Sequence, residues 1–119
     1  MAEVVDERLE RFRAEFLPRL VEAFQPARVL AFGSRARGDA LKHSDLDLLV
    51  VSERFRDVRW LDRAPLVLEM LAAPFGVEVL CYTPEEYERK VEELGIVRTA
   101  SGEGLDLLAP KRQSRGPVR

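Results

Sequence analysis

Two aspartates separated by one residue, Asp45 and Asp47, begin a nearly continuous apolar run that ends at Val51. Residues two apart on a strand point to the same side, so both carboxylates share one face of a predicted strand. Their charges repel each other unless a cation is bound, and aspartate oxygens without a nearby histidine or thiol favour Mg²⁺ or Mn²⁺ over zinc. A solvated strand face is the alternative, but unpaired acids on so apolar a strand would be costly without a function. The pattern therefore predicts a divalent-metal site.

A glycine-punctuated turn, Gly33 to Gly38, precedes these acids. Gly33 allows a strand to turn sharply, and Gly38 allows the backbone to pass close to a ligand. Ser34 stands where the first turn of a helix would present N–H groups and a hydroxyl to phosphate oxygens. The spacing also resembles the start of a P-loop, but Asp39-Ala40 stands where that motif requires Lys followed by Ser or Thr, so this interpretation fails.

The elements that must position these groups follow from the spacing of apolar residues and from helix-end signals. Helical spacing predicts an amphipathic helix over 3–24, kinked or split by Pro18. The first predicted elements after this helix are strand 28–32, a short helix from Ser34, and strand 46–51. Helix 61–73 follows, in which Pro65 is acceptable if it falls in the first turn, and a break at 74–76 ends it. The last predicted elements are strand 77–82, a helix from Pro84 to about Leu94 closed by Gly95, a turn of helix at 96–100, and an edge strand at 105–108. The predicted fold class is α/β (α+β), a small mixed sheet of three to four strands with helices packed on one face.

Length and charge restrict the broader class of protein. A chain of 119 residues is expected to form one domain, here residues 1–109, followed by a basic, disordered tail at 110–119. The tail carries four basic residues and no acids, which leaves 15 basic and 21 acidic residues, a net charge of about −6, in residues 1–109. Nucleic-acid binding by this acidic body is therefore not expected.

Other features of the composition concern the cellular setting. No run of 18 apolar residues occurs, and residues 1–13 are rich in acids and arginines, so neither a membrane span nor a signal peptide is expected. We therefore place the protein in the cytoplasm. Cys81 is the single cysteine, in agreement with a reducing compartment. The excess of arginine over lysine and the absence of asparagine are typical of a thermophile, and a GC-rich genome predicts the same bias.

Gly33-Ser34, ten intervening residues, and then Asp45-x-Asp47 form the pattern of the nucleotidyltransferase superfamily that includes DNA polymerase β. The wider match, from Phe32 to Val50, resembles the minimal nucleotidyltransferase family, and the resemblance covers nearly the whole chain. It implies the nucleotidyltransferase fold, in which a small mixed sheet has helices packed on one side.

The resemblance also implies which residues form the site. Asp45 and Asp47, with a third carboxylate on a neighbouring strand, would hold two Mg²⁺ or Mn²⁺ ions and serve as the catalytic residues. Glu78 is the only acid in the third predicted strand, although the family more often has aspartate there, and its alternative is a surface glutamate on an edge strand. Arg35 and Arg37 would neutralise developing charge, and Ser44 either orients a phosphate or caps the strand. The residues expected to bind the nucleotide are Gly33, Ser34, Arg35, Arg37, Gly38 and Ser44.

The implied reaction is transfer of a nucleoside monophosphate, AMP by resemblance, from ATP or another nucleoside triphosphate to a hydroxyl. The chain has almost no room for an acceptor-binding domain, so the acceptor site would come from a second subunit. The resemblance implies a helical HEPN-type partner. This chain would act as the antitoxin of that partner by transferring AMP to one of its tyrosines. A homo-oligomer of this chain is the other assembly considered. Two alternatives stay open: a binding module with weak or lost activity, and an enzyme that modifies a small molecule such as an aminoglycoside.

Overall fold

The computed structural model describes residues 6–41, 43–93 and 104–108. Three short helical segments precede the first strand: α1 (Glu7–Arg11), a π-helical turn (Phe12–Phe16) and α2 (Leu17–Phe24). The following elements are β1 (Arg28–Phe32), α3 (Gly33–Arg37), β2 (Leu46–Val51), a 3-10 turn (Glu53–Phe55), α4 (Trp60–Leu71), β3 (Val77–Tyr82), α5 (Pro84–Glu93) and β4 (Leu105–Asp106). None of the helices in these ranges is long and apolar enough to cross a bilayer.

The four strands form one mixed sheet in the order β3-β2-β1-β4. β1 is antiparallel to both β2 and β4, whereas β2 and β3 are parallel and are joined through α4. β2 is central because its apolar side chains are buried on both faces, as its nearly continuous apolar sequence predicted. The predicted fold class, a small mixed sheet with helices, is confirmed.

The N-terminal helix is interrupted next to Pro18, where the sequence predicted that it would be kinked or split. Proline has no N–H and its ring clashes with the carbonyl four residues earlier. The chain widens into a π-helical turn just before it, in which the Leu17 N–H donates to the Phe12 carbonyl five residues back. Phe12 and Leu20 remain fully buried on one side of the helix. The predicted start of this helix at residue 3 lies outside the described residues.

The helix α4 begins at Trp60, so Pro65 lies inside the helix and not in the first turn, where proline is most easily accommodated. Pro65 cannot donate a hydrogen bond to the Leu61 carbonyl. Leu61 is 77% exposed, so water can satisfy that carbonyl and the helix continues. Ala72 then ends it in a left-handed conformation, just before the predicted break at 74–76. The turn at 94–103 and the tail at 110–119 lie outside the described residues.

The larger part of the core lies between one face of the sheet and the helices α1, α2 and α4. The prediction that the helices lie on one face holds for α1, α2 and α4 but not for α5. On the opposite face, Tyr87 and Val91 of α5 pack against a smaller cluster that includes Leu49 and Tyr82. α5 follows the carboxyl end of β3 and covers that end of the face. Asp47 and Glu78 lie near the other end of the same face, which α5 leaves open.

The start of α5 is held by a capping box and by a buried arginine. Thr83 Oγ1 accepts from the Glu86 N–H at 3.3 Å, and Glu86 Oε1 accepts from the Thr83 N–H at 2.9 Å. Arg63, only 5% exposed, pairs with Glu86 at 2.6 Å and also donates to the carbonyls of Cys81 and Val58. This pairing lowers the pKa of Glu86. Arg63 therefore joins α4, the end of β3 and the start of α5.

We predict that Arg63→Met lowers the free energy of unfolding by about 2–3 kcal/mol, because Glu86 and two carbonyls lose a buried charged donor. Urea denaturation followed by circular dichroism measures this change. Arg59→Met is the matched control, since Arg59 is 81% exposed in its pair with Asp62 and is expected to contribute less than about 1 kcal/mol. Equal losses in the two variants would contradict the role given to Arg63.

Candidate active site

Three carboxylates, two from the start of β2 and one from β3, lie at one end of the sheet. Asp47 on β2 pairs in register with Glu78 on β3, and adjacent strands lie about 4.8 Å apart. Asp45 stands immediately before β2, two residues from Asp47 and on the same face. Asp47 is partly buried, whereas Asp45 and Glu78 are exposed. The structure therefore brings together all three residues predicted to hold metal.

The electrostatics of Asp47 show the effect of this crowding. Burial raises its pKa, and the charges of Glu78 and then Asp45 raise it further, while Arg37 lowers it. Like charges held together favour protonation or a bound cation. Within 6–41, 43–93 and 104–108, however, no three acidic, histidine or cysteine side chains stand close enough to form a ready-made metal site. The oxygen-only donor set fits Mg²⁺ or Mn²⁺ by its chemistry, but it is not a preformed cage.

Gly33 lies against Asp47, which explains why a glycine is needed there. Its φ of +77° belongs to the left-handed region, which residues that have a Cβ rarely adopt. A Cβ at this position would collide with Asp47 Oδ2 and would lie 3.3 Å from Asp47 Cγ. Gly38, with φ +89°, ends α3 and donates its N–H to the Ser34 carbonyl at 2.9 Å. The short helix between these glycines thus starts directly beside the carboxylates.

Gly76 is a site residue that the sequence analysis missed, because it was interpreted only as part of a helix break. Its carbonyl accepts from the Leu46 N–H at 3.0 Å, which aligns the starts of β2 and β3. A Cβ at Gly76 would lie 2.9 Å from Asp45 Cγ and would collide with Asp45 Oδ1. The available signal for a close contact was a glycine directly before the strand that carries Glu78. The residue that Gly76 contacts is set by the register of β2 against β3, which the sequence did not show.

Arg35 was expected to bind the nucleotide, but the structure gives it protein partners. The guanidinium is 9% exposed and donates to the carbonyls of Leu41 and Ser44 and to Asp6 Oδ2, at 3.0–3.2 Å. Asp6 in turn caps α1 by accepting from the Leu9 N–H. Arg35 therefore fastens the loop before Asp45 to α3 and to the first helix, and these contacts assign it a positioning role.

Ser44 also has a structural contact. Its Oγ accepts from the Leu41 N–H at 2.9 Å and so closes the turn that leads into β2. This contact agrees with the alternative in which Ser44 caps the entry to the strand. The hydroxyl hydrogen of Ser44 can still donate to another group.

Arg37 is the cation that the structure leaves close to the carboxylates. Its side chain is 57% exposed and pairs with the equally exposed Asp39 at 3.3 Å. Its charge also acts on Asp47, lowering the pKa of that carboxyl. Ser34, at the second position of α3, accepts from the Gly38 and Asp39 N–H groups through its carbonyl. Arg37 and Ser34 therefore remain candidates for contact with phosphate.

A groove of about 450 Å³ adjoins the carboxylates, a volume in the range of small-molecule sites. Asp47 and Glu78 line it together with Phe32, the residue before the glycine turn. Its other walls are apolar side chains: Ala64, Leu68, Val77, Val79 and Leu80. The arrangement combines clustered oxygen ligands with an apolar surface large enough for a nucleoside.

The raised pKa of Asp47 leads to a prediction about stability. A carboxyl whose pKa is raised on folding favours the folded state below its unfolded pKa, and this stabilisation is lost as pH rises through the folded pKa. Removing the charge with Asp47→Asn should therefore raise the melting temperature without metal at neutral pH, by about 1–4 °C after allowing for solvent screening.

Differential scanning fluorimetry measures this change across the pH range. The advantage of the variant should disappear below about pH 4, where the carboxyl of the original protein is protonated in both states. Added Mg²⁺ should stabilise the original protein more than the variant. Asp57→Asn, an exposed carboxylate away from the site, serves as the control. A loss of stability in metal-free Asp47→Asn would show that repulsion does not dominate at this position.

Comparison with known proteins agrees with this geometry. The family model described as "Nucleotidyltransferase domain" matches residues 13–108. A Haemophilus influenzae protein named probable protein adenylyltransferase MntA is 35% identical over 71 residues, which is 58% of this chain. The match covers 62% of the length of that relative, slightly less than two thirds.

A solved structure has a similar fold. The crystal structure described as "a putative nucleotidyltransferase from Sulfolobus solfataricus" superposes with a TM-score of 0.51 at 26% identity. The superposition covers 75% of this chain and 82% of that chain. The matched residues include the glycine turn, the acid pair and β3. The chain thus belongs to the nucleotidyltransferase domain family, which confirms its resemblance to the minimal nucleotidyltransferases.

Proposed function

We propose that this chain transfers a nucleoside monophosphate, AMP, from a nucleoside triphosphate to a hydroxyl group. The observation that carries the proposal is the meeting of Asp45, Asp47 and Glu78 beside the Gly33 backbone, with the pKa of Asp47 raised by burial and then by its acidic neighbours. Family membership supports nucleotidyl transfer, and the relative named as a protein adenylyltransferase supports AMP and a protein acceptor.

The three carboxylates are the groups that would hold Mg²⁺ or Mn²⁺. Bound there, two such ions would stabilise the negative charge that develops on the attacking and leaving oxygens. Asp47 is central in this arrangement because it lies between Asp45 and Glu78 and receives charge repulsion from both. Asp45 and Glu78 are more exposed, so their side chains are the ones that can turn to complete a ligand set.

The remaining site residues would hold the triphosphate. The N–H groups at the start of α3 and the Ser34 hydroxyl are suited to phosphate oxygens, and Arg37 supplies a cation near Asp47. The groove beside Phe32 would receive the nucleoside. Arg35 acts indirectly, because its bonds to the Leu41 and Ser44 carbonyls hold the loop from which Asp45 projects.

The reaction is a single displacement at the α-phosphorus. The acceptor oxygen forms a bond to this phosphorus, the bond from the phosphorus to the α–β bridging oxygen breaks, and pyrophosphate leaves. In this proposal Glu78, which is exposed on the outer strand of the sheet, would take the proton from the acceptor hydroxyl. We further propose that the acceptor is a tyrosine of a helical HEPN-type partner in the cytoplasm, with this chain as the antitoxin.

One observation favours a second candidate, a nucleotide- or partner-binding module with weak activity. The described residues contain no ready-made three-ligand metal site, and Glu78 stands where the resembled family more often has aspartate. An extra methylene at this position changes how a ligand set can close around a small cation that demands near-octahedral geometry.

Incubation with α-labelled ATP, Mg²⁺ and lysate of the host organism tests the proposal, and we expect one labelled protein band. Asp45→Asn and Asp47→Asn should each reduce labelling at least about a hundredfold, because each removes a metal ligand. Asp57→Asn is the control and should label normally. Two variants of Glu78 distinguish a metal ligand from a surface residue. If Glu78 is a ligand, Glu78→Asp should retain part of the labelling and Glu78→Gln should lose it. If Glu78 is only a surface residue, both variants should label normally.

Each outcome separates the candidates. Labelling of a small molecule rather than a protein would identify a small-molecule transferase. Absence of label, with nucleotide binding retained by isothermal titration, would overturn the enzyme proposal in favour of the binding module. Mass spectrometry of the labelled band would identify the modified residue, and a residue other than tyrosine would contradict the proposed acceptor.

A further inference from the structure

The strand β3 is an outer strand of the sheet with one edge that no described residue pairs. Its sequence, Val77 to Tyr82, contains neither proline nor lysine, the residues that commonly protect such edges, and Glu78 is its one charged residue. The edge therefore presents backbone donors and acceptors beside mainly apolar side chains, and these can pair with another strand.

Apolar side chains of α4 run along this free edge. Trp60, Leu61 and Leu68 are 48%, 77% and 37% exposed, respectively. Leu61 and Ala64 line a cavity with Val79 and Cys81 in the middle of the edge, and Leu68 lines the groove at its acidic end. Large exposed side chains concentrated along an unpaired strand are typical of an interaction surface.

The two ends of the edge carry opposite charge. Asp47 and Glu78 lie at the start of β3, and Arg89 and Lys90 line a cavity with Trp60 and Tyr82 at its end. Neither Arg89 nor Lys90 forms an ion pair with the described residues, whereas Glu86 beside them is paired with Arg63. One end is thus acidic and the other has two basic groups available.

We propose that this edge, from Trp60 and Leu68 of α4 to the outer side of β3, binds a second copy of the chain. Two β3 strands related by a twofold axis near their middle pair antiparallel, so the start of each strand meets the end of the other. That arrangement brings Arg89 and Lys90 of one copy to the carboxylates of the other. Self-complementary charge is what selects a second copy over another partner.

The dimer would contribute to the site as well as to the sheet. Arg89 and Lys90 of the second copy would face the groove beside Asp47 and Glu78, where a triphosphate would need cations. Trp60 of the second copy would pack near Leu68 and close the outer side of this groove. The dimer itself does not depend on the proposed function, whereas this contribution across the interface rests on it.

Sedimentation velocity over a series of protein concentrations tests the dimer. We expect a reversible dimer, which Leu61→Lys should weaken at least about tenfold by placing charge on the apolar edge. Leu66→Lys is the matched control, because Leu66 is a 43% exposed leucine of the same helix that lines none of the cavities along the edge. The control should dimerise normally.

Charge reversal tests the proposed orientation. Arg89→Glu with Lys90→Glu should prevent dimerisation, and adding Glu78→Lys should restore it. A monomer at every concentration overturns the proposal. This is also the result expected if another segment of this chain covers the edge. A dimer that is insensitive to Leu61→Lys and to charge reversal also overturns it, because its interface then lies elsewhere.

Mixed dimers test the contribution across the interface. Asp47→Asn and the double variant Arg89→Ala/Lys90→Ala should each have low transferase activity. Their equimolar mixture should recover about a quarter of the original rate, because half of the dimers are mixed and each has one intact site. No recovery, with dimers present and the original protein active, overturns this contribution. An inactive original protein instead counts against the proposed function, and sedimentation alone then decides the dimer.

Discussion

Like-charge repulsion at the start of β2 and β3 is the constraint around which the rest of the structure is arranged. Parallel pairing places Asp47 directly beside Glu78, and Asp45 follows two residues away on the same face. Burial raises the pKa of Asp47, and the charges of Glu78 and Asp45 raise it further. A fold selected for stability alone would not hold these groups together, and their retention is typical of a site that binds a cation.

The scaffold withstands this repulsion because its core is elsewhere. The larger apolar cluster occupies the opposite face of the sheet, and α5 covers the far end of the site face with Tyr87 and Val91. Two buried arginines then join elements across the domain: Arg63 joins α4 to β3 and α5, and Arg35 joins the loop before β2 to α1. The acidic end of the site face can stay open because the stabilising contacts lie around it.

The pattern of neighbouring residues was sufficient to predict features that lie within a single strand or at one helix end. β1, β2 and β3 have the bounds predicted from their apolar runs, because a buried strand needs apolar side chains on both faces. The helix from Pro84 was also predicted at its observed start, and the capping box that holds this start connects residues only three apart. Pro18 signalled an irregular helix, but the π-helical turn before it depended on how Phe12 and Leu20 reach the core.

The sequence by itself determined the chemistry: a glycine turn, two aspartates on one strand face and a glutamate on another strand, which together identified the family. Tertiary structure decided how these groups are used, because the register of β2 against β3 sets which side chains touch. That register placed Gly76 against Asp45, and the packing of α1 against α3 turned Arg35 toward Asp6 and the loop carbonyls. Contacts between residues far apart in the chain leave no periodic signal in the sequence, so these roles emerged only with the fold.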